Sequence, residues 1–178
     1  MPLTGPALGA LRILLVEDSP EDAELMSEQM LDAGLEARFE RVESEAELRQ
    51  ALAAFQPDIV LSDLSMPGFS GDDALRIVRE TSPEIPFIFV SGTMGEENAV
   101  AALQKGANDY IIKHQPARLP SAVARAIRDA RSAIERARVE TELMRAQRLE
   151  SLSLLAAGLS HDLRNILQPL LIMPDLLK

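Results

Sequence analysis

The chain contains no cysteine and no tryptophan, and aromatic residues make up only 3% of its 178 positions. The absence of cysteine excludes disulfides and thiolate metal sites and suits a reducing cytoplasm. So few aromatics leave little platform for stacking single-stranded nucleic acid. No apolar run reaches the roughly 18–20 residues that span a bilayer, and the first ten residues lack the pattern of a signal peptide. We therefore predict a cytoplasmic protein with no membrane segment.

Negative charge dominates the chain, with a net charge of −10, but it is unevenly distributed. Residues 1–116 carry 8 basic and 21 acidic side chains, whereas residues 117–150 carry 8 arginines and 5 acids. This change of character marks a candidate domain boundary near residue 116. The strongly acidic first part argues against nucleic acid as a partner.

Short runs rich in Ile, Leu, Val and Phe alternate with helical patterns in the first part of the chain. Such runs are typical of parallel strands that are buried on both faces. The predicted strand segments are Leu11–Asp18, Ala37–Val42, Asp58–Asp63, Pro86–Ser91 and Asn108–Lys113, and the predicted helices are Pro20–Ala33, Ser44–Phe55, Asp72–Glu80 and Glu96–Lys105. Five βα units predict an α/β fold with a doubly wound parallel sheet, and right-handed crossovers favour the strand order 2-1-3-4-5.

A different pattern begins at about Leu119. No glycine occurs between Leu119 and Gly158. Apolar side chains recur there at intervals of three and four from Ile127 to Met144. A shifted stripe then starts at Leu149, like a stutter in a heptad repeat. This predicts one helix of about 50 residues, about 75 Å long. A helix of that length with such a seam indicates a coiled coil, and we expect a parallel homodimer.

Polar residues end four of the predicted strands. The carboxyl ends of parallel strands meet at one edge of the sheet, where ligands bind, so Glu17, Asp18, Asp63, Ser91 and Lys113 are expected to converge. Three neighbouring carboxylates repel one another unless a cation joins them, and oxygen ligands suit Mg²⁺. With an ammonium and a hydroxyl nearby, the site is suited to phosphoryl transfer onto a carboxylate. Asp63 is the best nucleophile because it stands alone at its strand end.

On these motifs residues 11–130 resemble the receiver domain of two-component response regulators. The resemblance rests on the segments LLVEDS, DIVLSDLSMPGFSG, FIFVSGTMGEE and GANDYIIK. It implies a flavodoxin-like fold and phosphorylation of Asp63 from a phosphohistidine. The implied partner is a histidine kinase or a histidine phosphotransfer protein.

The resemblance also implies a role for each residue of the magnesium site. Asp18 and Asp63 would bind Mg²⁺ directly, and Glu17 would act through water. The backbone carbonyl of Ser65 would complete the protein ligands.

Further roles follow from the same resemblance. Ser91 and Lys113 would hold the phosphoryl group, and Tyr110 would be an aromatic switch that turns inward on activation. Receivers usually have proline after the lysine, often joined by a cis bond, but this chain has His114. Because a cis bond before a non-proline residue costs about 3 kcal/mol, we expect the turn after the fifth strand to differ.

A second resemblance covers about residues 145–173. The segment RLESLSLLAAGLSHDLRNILQPLL is similar to the first helix of a histidine kinase dimerisation and phosphotransfer domain. It implies that His161 is a phosphoacceptor, that Asp162 is its acid/base and that Asn165 assists dephosphorylation. His161 lies two positions from both Leu159 and Leu163, so it is expected to point away from the apolar seam.

The expected domain organisation follows from both resemblances. It comprises a flexible N-terminus (1–10), a receiver domain (11–118), a coiled-coil helix (119–150) and an incomplete first helix of a phosphotransfer domain (151–178). No glycine-rich nucleotide motif and no ATP-binding domain occur in this chain, so we do not expect autophosphorylation from ATP. We expect the chain to be the front part of a longer hybrid histidine kinase, and whether it is itself an enzyme stays open.

Three other readings compete with this one. In the first, the chain is a non-enzymatic adaptor whose receiver docks partners and whose helix serves only for dimerisation. In the second, it is a Mg²⁺-dependent phosphatase with an aspartyl nucleophile, but such enzymes usually have a second acid shortly after the nucleophile, which Asp63-Leu64-Ser65 lacks. In the third, it is a DNA-binding regulator, but no helix-turn-helix pattern follows the receiver.

Overall fold

The computed structural model describes residues 10–92 and 96–172. Most of the predicted flexible N-terminus (1–10) and the last residues of the predicted phosphotransfer helix (173–178) lie outside this part. The described residues form one five-stranded sheet in which every pairing is parallel. The strands are β1 (Leu11–Val16), β2 (Ala37–Val42), β3 (Ile59–Ser62), β4 (Phe87–Ser91) and β5 (Asp109–Ile112). Their order in the sheet is β2-β1-β3-β4-β5, which confirms the predicted fold class.

Helices connect the strands. They are α1 (Pro20–Asp32), α2 (Glu45–Ala54), α3 (Gly71–Thr81), α4 (Glu96–Gln104) and α5 (Leu119–Ile172), with a short 3₁₀ helix at Pro116–Arg118 before α5. The first three begin in the same way, because a serine hydroxyl accepts a hydrogen bond from a backbone N–H of the first turn. This serine cap satisfies a donor that has no partner within the helix.

Side chains of the central strands alternate between two buried faces. Leu14 and Val60 belong to the apolar cluster beneath α2, α3 and α4, whereas Ile13 and Leu61 belong to the cluster beneath α1 and the start of α5. A strand that is buried on both faces has no polar side, which explains the continuous apolar runs in the sequence. Each fully buried aliphatic side chain stabilises the fold by about 1.5–3 kcal/mol.

The chain divides into two compact units, one ending at Ser132 and the other beginning at Ala133. Within the first unit, Val123 and Ile127 of α5 are buried in the sheet core. Ile127, which the sequence suggested as the start of the coiled-coil seam, is therefore covered by this core. The division of the chain at residue 118 stays a prediction.

In the part of the chain that the structure describes, the second unit is the rest of α5. Its described leucines are more than half exposed, including Leu149, Leu152 and Leu159. The predicted long helix is confirmed, with 54 residues from Leu119 to Ile172. No helix within the described ranges is both long and apolar enough to cross a membrane.

Candidate functional site

The acidic pair Glu17 and Asp18 directly follows β1. The backbone N–H of Glu17 donates to the carbonyl of Val42 at 3.0 Å, which extends the pairing of β1 with β2 by one residue. Arg41 donates through Nη1 to the Glu17 carbonyl at 2.8 Å. Glu17 is only 1% exposed, whereas Asp18 is exposed. The two carboxylates therefore share one loop but differ in solvation.

Asp63 directly follows β3, and its backbone N–H donates to the carbonyl of Val16 at 2.9 Å. The N–H of Ser65 donates to Asp63 Oδ1 at 3.1 Å, which orients the carboxylate. Gly71, the first residue of α3, lies so close that a Cβ atom there would be 2.2 Å from the Asp63 carbonyl oxygen. Only glycine lets α3 begin against the loop that carries Asp63.

Lys113 follows β5, and its backbone N–H donates to the carbonyl of Ser91 at 2.8 Å. Its Nζ atom lies 2.7 Å from Asp63 Oδ2, 2.9 Å from Glu17 Oε2 and 2.5 Å from Asp22 Oδ2. An ammonium has three N–H donors, so these three carboxylates match the full donor capacity of the side chain. The carboxyl ends of three strands and the first turn of α1 thus meet at one lysine.

Asp22 is a site residue that sequence reasoning missed. It lies in the first turn of α1, and its backbone N–H donates to the hydroxyl of the capping residue Ser19 at 3.2 Å. Acids are common in this position because they interact favourably with the helix dipole. Nothing in the sequence therefore distinguishes Asp22 from its neighbour Glu21. Only the placement of α1 beside β5 brings Asp22 to Lys113.

The electrostatics of the pocket follow from burial and pairing. Burial by itself would lower the pKa of Lys113, but the hydrogen bonds to Asp22, Asp63 and Glu17 outweigh it and raise that pKa. Burial raises the pKa of Glu17, more than the hydrogen bonds from Lys113 and Ser19 lower it. Lys113 is therefore positively charged, whereas burial makes the ionised form of Glu17 less favourable in the folded protein than in water.

Carboxylate oxygens of Glu17, Asp18 and Asp63 lie within 4.8 Å of one another. One ammonium cannot neutralise this group, to which Asp22 adds a further negative charge. The donors are all oxygen, and Asp18 opens the group to solvent. This chemistry fits a small divalent cation that prefers oxygen ligands, of which Mg²⁺ is the usual example.

Ser91 and Tyr110 lie on the neighbouring strands. Ser91 ends β4 and is 2% exposed, so its hydroxyl belongs to the buried end of the strand. Tyr110 is 7% exposed and lies in the apolar cluster that also contains Phe89 and Ala102. Its ring is therefore inward in this conformation.

The turn after β5 contains the unusual histidine. The peptide bond between Lys113 and His114 is trans. The N–H of Gln115 donates to the carbonyl of Ile112 at 2.8 Å and closes the turn. With this turn, Lys113 still reaches the carboxylates of the pocket.

His161 lies in the second unit, where its side chain is 72% exposed. Its Nδ1 atom is 3.4 Å from Asp162 Oδ1 and 3.3 Å from Asn165 Nδ2. These distances are long for hydrogen bonds, so the imidazole is oriented only loosely by its neighbours. Both contacts involve the same ring nitrogen.

The fold and the pocket together define the class of two-component receiver domains. The family model for the response regulator receiver domain matches residues 13–124, and the chain therefore belongs to this family. It is 34% identical over 109 residues to the response regulator protein FleR of Pseudomonas aeruginosa, a match that covers 61% of this chain and 23% of FleR. The curated relatives are thus much longer than the part of them that this chain matches.

Solved structures agree with this assignment. The BeF₃-activated N-terminal receiver domain of RstA from Klebsiella pneumoniae is similar, with a TM-score of 0.59 and 26% identity, over 66% of this chain and 98% of that one. NtrX from Brucella abortus is similar with a TM-score of 0.67 and 25% identity, over 74% of this chain and 30% of that one. The RstA structure is that of a receiver domain, and the match covers nearly all of it.

Proposed function

We propose that this protein accepts a phosphoryl group on Asp63 from a phosphohistidine of a histidine kinase or a histidine phosphotransfer protein. The observation that carries this proposal is the contact between Lys113 Nζ and Asp63 Oδ2 at 2.7 Å, beside the buried Glu17. It supports a carboxylate nucleophile with a fixed positive charge at the point where phosphoryl oxygens would lie.

In the proposed step, an oxygen of the Asp63 carboxylate supplies the electron pair for a new O–P bond. The P–N bond of the phosphohistidine breaks, and its electron pair stays on the imidazole nitrogen. Lys113 donates a hydrogen bond to a phosphoryl oxygen, and the Ser91 hydroxyl donates to another. Asp63 is 13% exposed, so a docked partner can reach it from the side of the pocket where Asp18 is exposed to solvent.

Glu17, Asp18, Asp63 and the carbonyl of Ser65 would hold Mg²⁺ in this proposal. The oxygen-only donor set and the excess of negative charge support this assignment. When bound, the cation would offset the repulsion among the carboxylates and neutralise charge on the phosphoryl oxygens. Glu17 remains the buried member of the set and Asp18 the solvated one.

The test of phosphoryl acceptance uses a labelled small-molecule phosphodonor with Mg²⁺. We expect a label that is lost in alkali and in hydroxylamine, as an acyl phosphate is. The Asp63→Asn variant should not be labelled, whereas Asp72→Asn, which removes an exposed acid paired with Lys105, should be labelled normally. Equal labelling of Asp63→Asn and the wild type would refute the proposal.

We further propose that phosphorylation of Asp63 is coupled to the second unit through a dimer of α5, in which His161 is a second phosphoacceptor. The exposure of His161 supports access by a kinase. Asp162 Oδ1 can accept from Nδ1 when that nitrogen carries the proton, and Asn165 Nδ2 can donate to it when it does not. This placement supports the roles of Asp162 as acid/base and of Asn165 as an aid to dephosphorylation. Tyr110 would transmit the state of the pocket by turning inward on activation.

The alternative is an adaptor in which α5 only dimerises. Incubation with a histidine kinase ATP-binding domain and ATP separates the two readings. Labelling of the wild type but not of His161→Gln supports the phosphotransfer helix. An intact dimer without any label on His161 supports the adaptor.

A further inference from the structure

Asp22 is the most exposed of the three carboxylates that contact Lys113. Its side chain is 42% exposed, compared with 13% for Asp63 and 1% for Glu17. Its contact with the ammonium is nevertheless the shortest of the three, at 2.5 Å. Asp22 therefore combines a close ion pair with ready access to water.

The three contacts of Lys113 create a competition. A phosphoryl group that approaches Asp63 needs a hydrogen bond from Lys113 while Asp63 is still a carboxylate, but the three N–H groups of the ammonium already face three carboxylates. One carboxylate must give up its bond. Release costs least where water can solvate the freed oxygen, because an unpaired charge in a dry environment is expensive. By exposure, that carboxylate is Asp22.

We propose that Asp22 is a positioning residue that holds one N–H of Lys113 in the unphosphorylated protein and yields it to the incoming phosphoryl oxygen. This inference rests on the proposed phosphoryl acceptance at Asp63. Asp22 forms no bond to phosphorus and moves no proton. It keeps the ammonium at the pocket before transfer and competes with the phosphoryl group for it during transfer.

The experiment measures the rate of phosphorylation by acetyl phosphate in the presence of Mg²⁺ for the whole chain. In the transfer, Asp63 forms the O–P bond and acetate leaves with the electron pair of the broken bond. The Asp22→Asn variant keeps an oxygen that can accept from Lys113 but loses the competing charge. We expect its rate at low donor concentration to rise about two- to fivefold, the effect of one partly exposed ion pair.

A second readout distinguishes this role from a merely structural one. Because the competition is for an anion, Asp22→Asn should lower the donor concentration that gives the half-maximal rate more than it raises the maximal rate. The difference from the wild type should shrink as ionic strength rises. The matched control is Glu21→Gln, which removes the same charge from the adjacent exposed position and should leave both parameters unchanged.

Two results for the Asp22→Asn variant would contradict the proposed role of Asp22. Equal parameters for Asp22→Asn, Glu21→Gln and the wild type would show that Asp22 does not compete for Lys113. A slower Asp22→Asn variant with an unchanged unfolding midpoint would show that its charge assists transfer, which also overturns the proposal. In both cases an unlabelled Asp63→Asn variant keeps the proposed function intact. A labelled Asp63→Asn variant would refute the proposed function and this inference with it.

Discussion

The Nζ atom of Lys113 lies 2.7 Å from Oδ2 of Asp63, although the two residues are 50 positions apart in the chain. Each residue directly follows a strand, and β4 separates those two strands in the sheet. The contact therefore requires both strand ends and the order of the sheet. Its consequences for stability and for function can be measured separately.

Replacing Lys113 with methionine should destabilise the first unit by about 1–3 kcal/mol at pH 7, because the carboxylates around it lose their counter-charge. Tyr110 is the only tyrosine and the chain has no tryptophan, so tyrosine fluorescence during urea unfolding reports on this unit. The control is Lys105→Met, whose partner Asp72 and own side chain are about half exposed. Lys105→Met should lower the unfolding free energy by less than about 1 kcal/mol. Equal losses of unfolding free energy in Lys105→Met and Lys113→Met would contradict the prediction.

Replacing Glu17 with glutamine should change the pH dependence of stability. Burial raises the pKa of Glu17 in the folded state above its ordinary value of 4.5. The cost of its ionised form is therefore absent below that value and appears as the pH rises through the folded-state pKa. In metal-free buffer, the unfolding free energy of Glu17→Gln relative to wild type should rise from pH 4 to pH 7.

The pKa of Lys113 does not disturb this comparison. It is raised, so its stabilising contribution is present throughout the range from pH 4 to pH 7 and is lost only in strong alkali. If the stability of Glu17→Gln relative to the wild type stays flat or falls across that range, burial does not raise the pKa of Glu17.

Replacing Gly71 with alanine should disturb the loop that carries Asp63. The new Cβ would be 2.2 Å from the Asp63 carbonyl oxygen and 2.9 Å from a ring carbon of Phe89. Overpacking of this kind costs about 1–3 kcal/mol, and phosphorylation of Asp63 should slow as well. Gly158→Ala is the control, since among the described residues no atom beyond the local helix backbone and the chain neighbours lies within 4 Å of its added Cβ. The Gly158→Ala variant should have a higher helix content than the wild type. A Gly71→Ala variant with the stability and phosphorylation rate of the wild type would contradict the close contact.

Replacing Leu159 with serine should weaken the proposed dimer. Leu159 lies on the stripe that starts at Leu149, whereas Leu154 lies off it, and both are exposed to a similar extent, at 64% and 69%. A dimer buries two copies of Leu159, each worth about 1.5–3 kcal/mol, so the dissociation constant should rise at least about a hundredfold. Sedimentation velocity measures this. An equal rise of the dissociation constant in Leu154→Ser would contradict a dimer interface along the stripe that contains Leu159.

Some elements of the fold could be predicted to the residue. β2 is Ala37–Val42 in both sequence and structure, because its first four residues alternate between apolar and polar side chains, as is typical of a strand at the sheet edge. Other boundaries were too wide. The predicted strands included Asp58, Pro86 and Asn108, which flank the strands but do not belong to them. Side chains at the ends of a buried strand do not reveal where its pairing stops.

Ile127 shows a limit of another kind. Its spacing fits a coiled-coil seam, but its side chain is buried in the core of the first unit at 2% exposure. A helix that packs on a sheet and a helix that packs on another helix both require apolar residues at intervals of three and four. The pattern therefore identifies the helix and its apolar side but not the surface that covers it.

The sequence by itself determined the alternation of strands and helices, and with it the order of the sheet and the edge where Glu17, Asp63 and Lys113 meet. These features depend on local periodicity and on the handedness of crossovers, which any single chain carries in its residue pattern. Only the tertiary structure decided that Asp22 contacts Lys113 and that Ile127 is covered by the sheet. Those contacts depend on how each helix is rotated and placed against the strands, which is a property of packing across elements and not of any one segment.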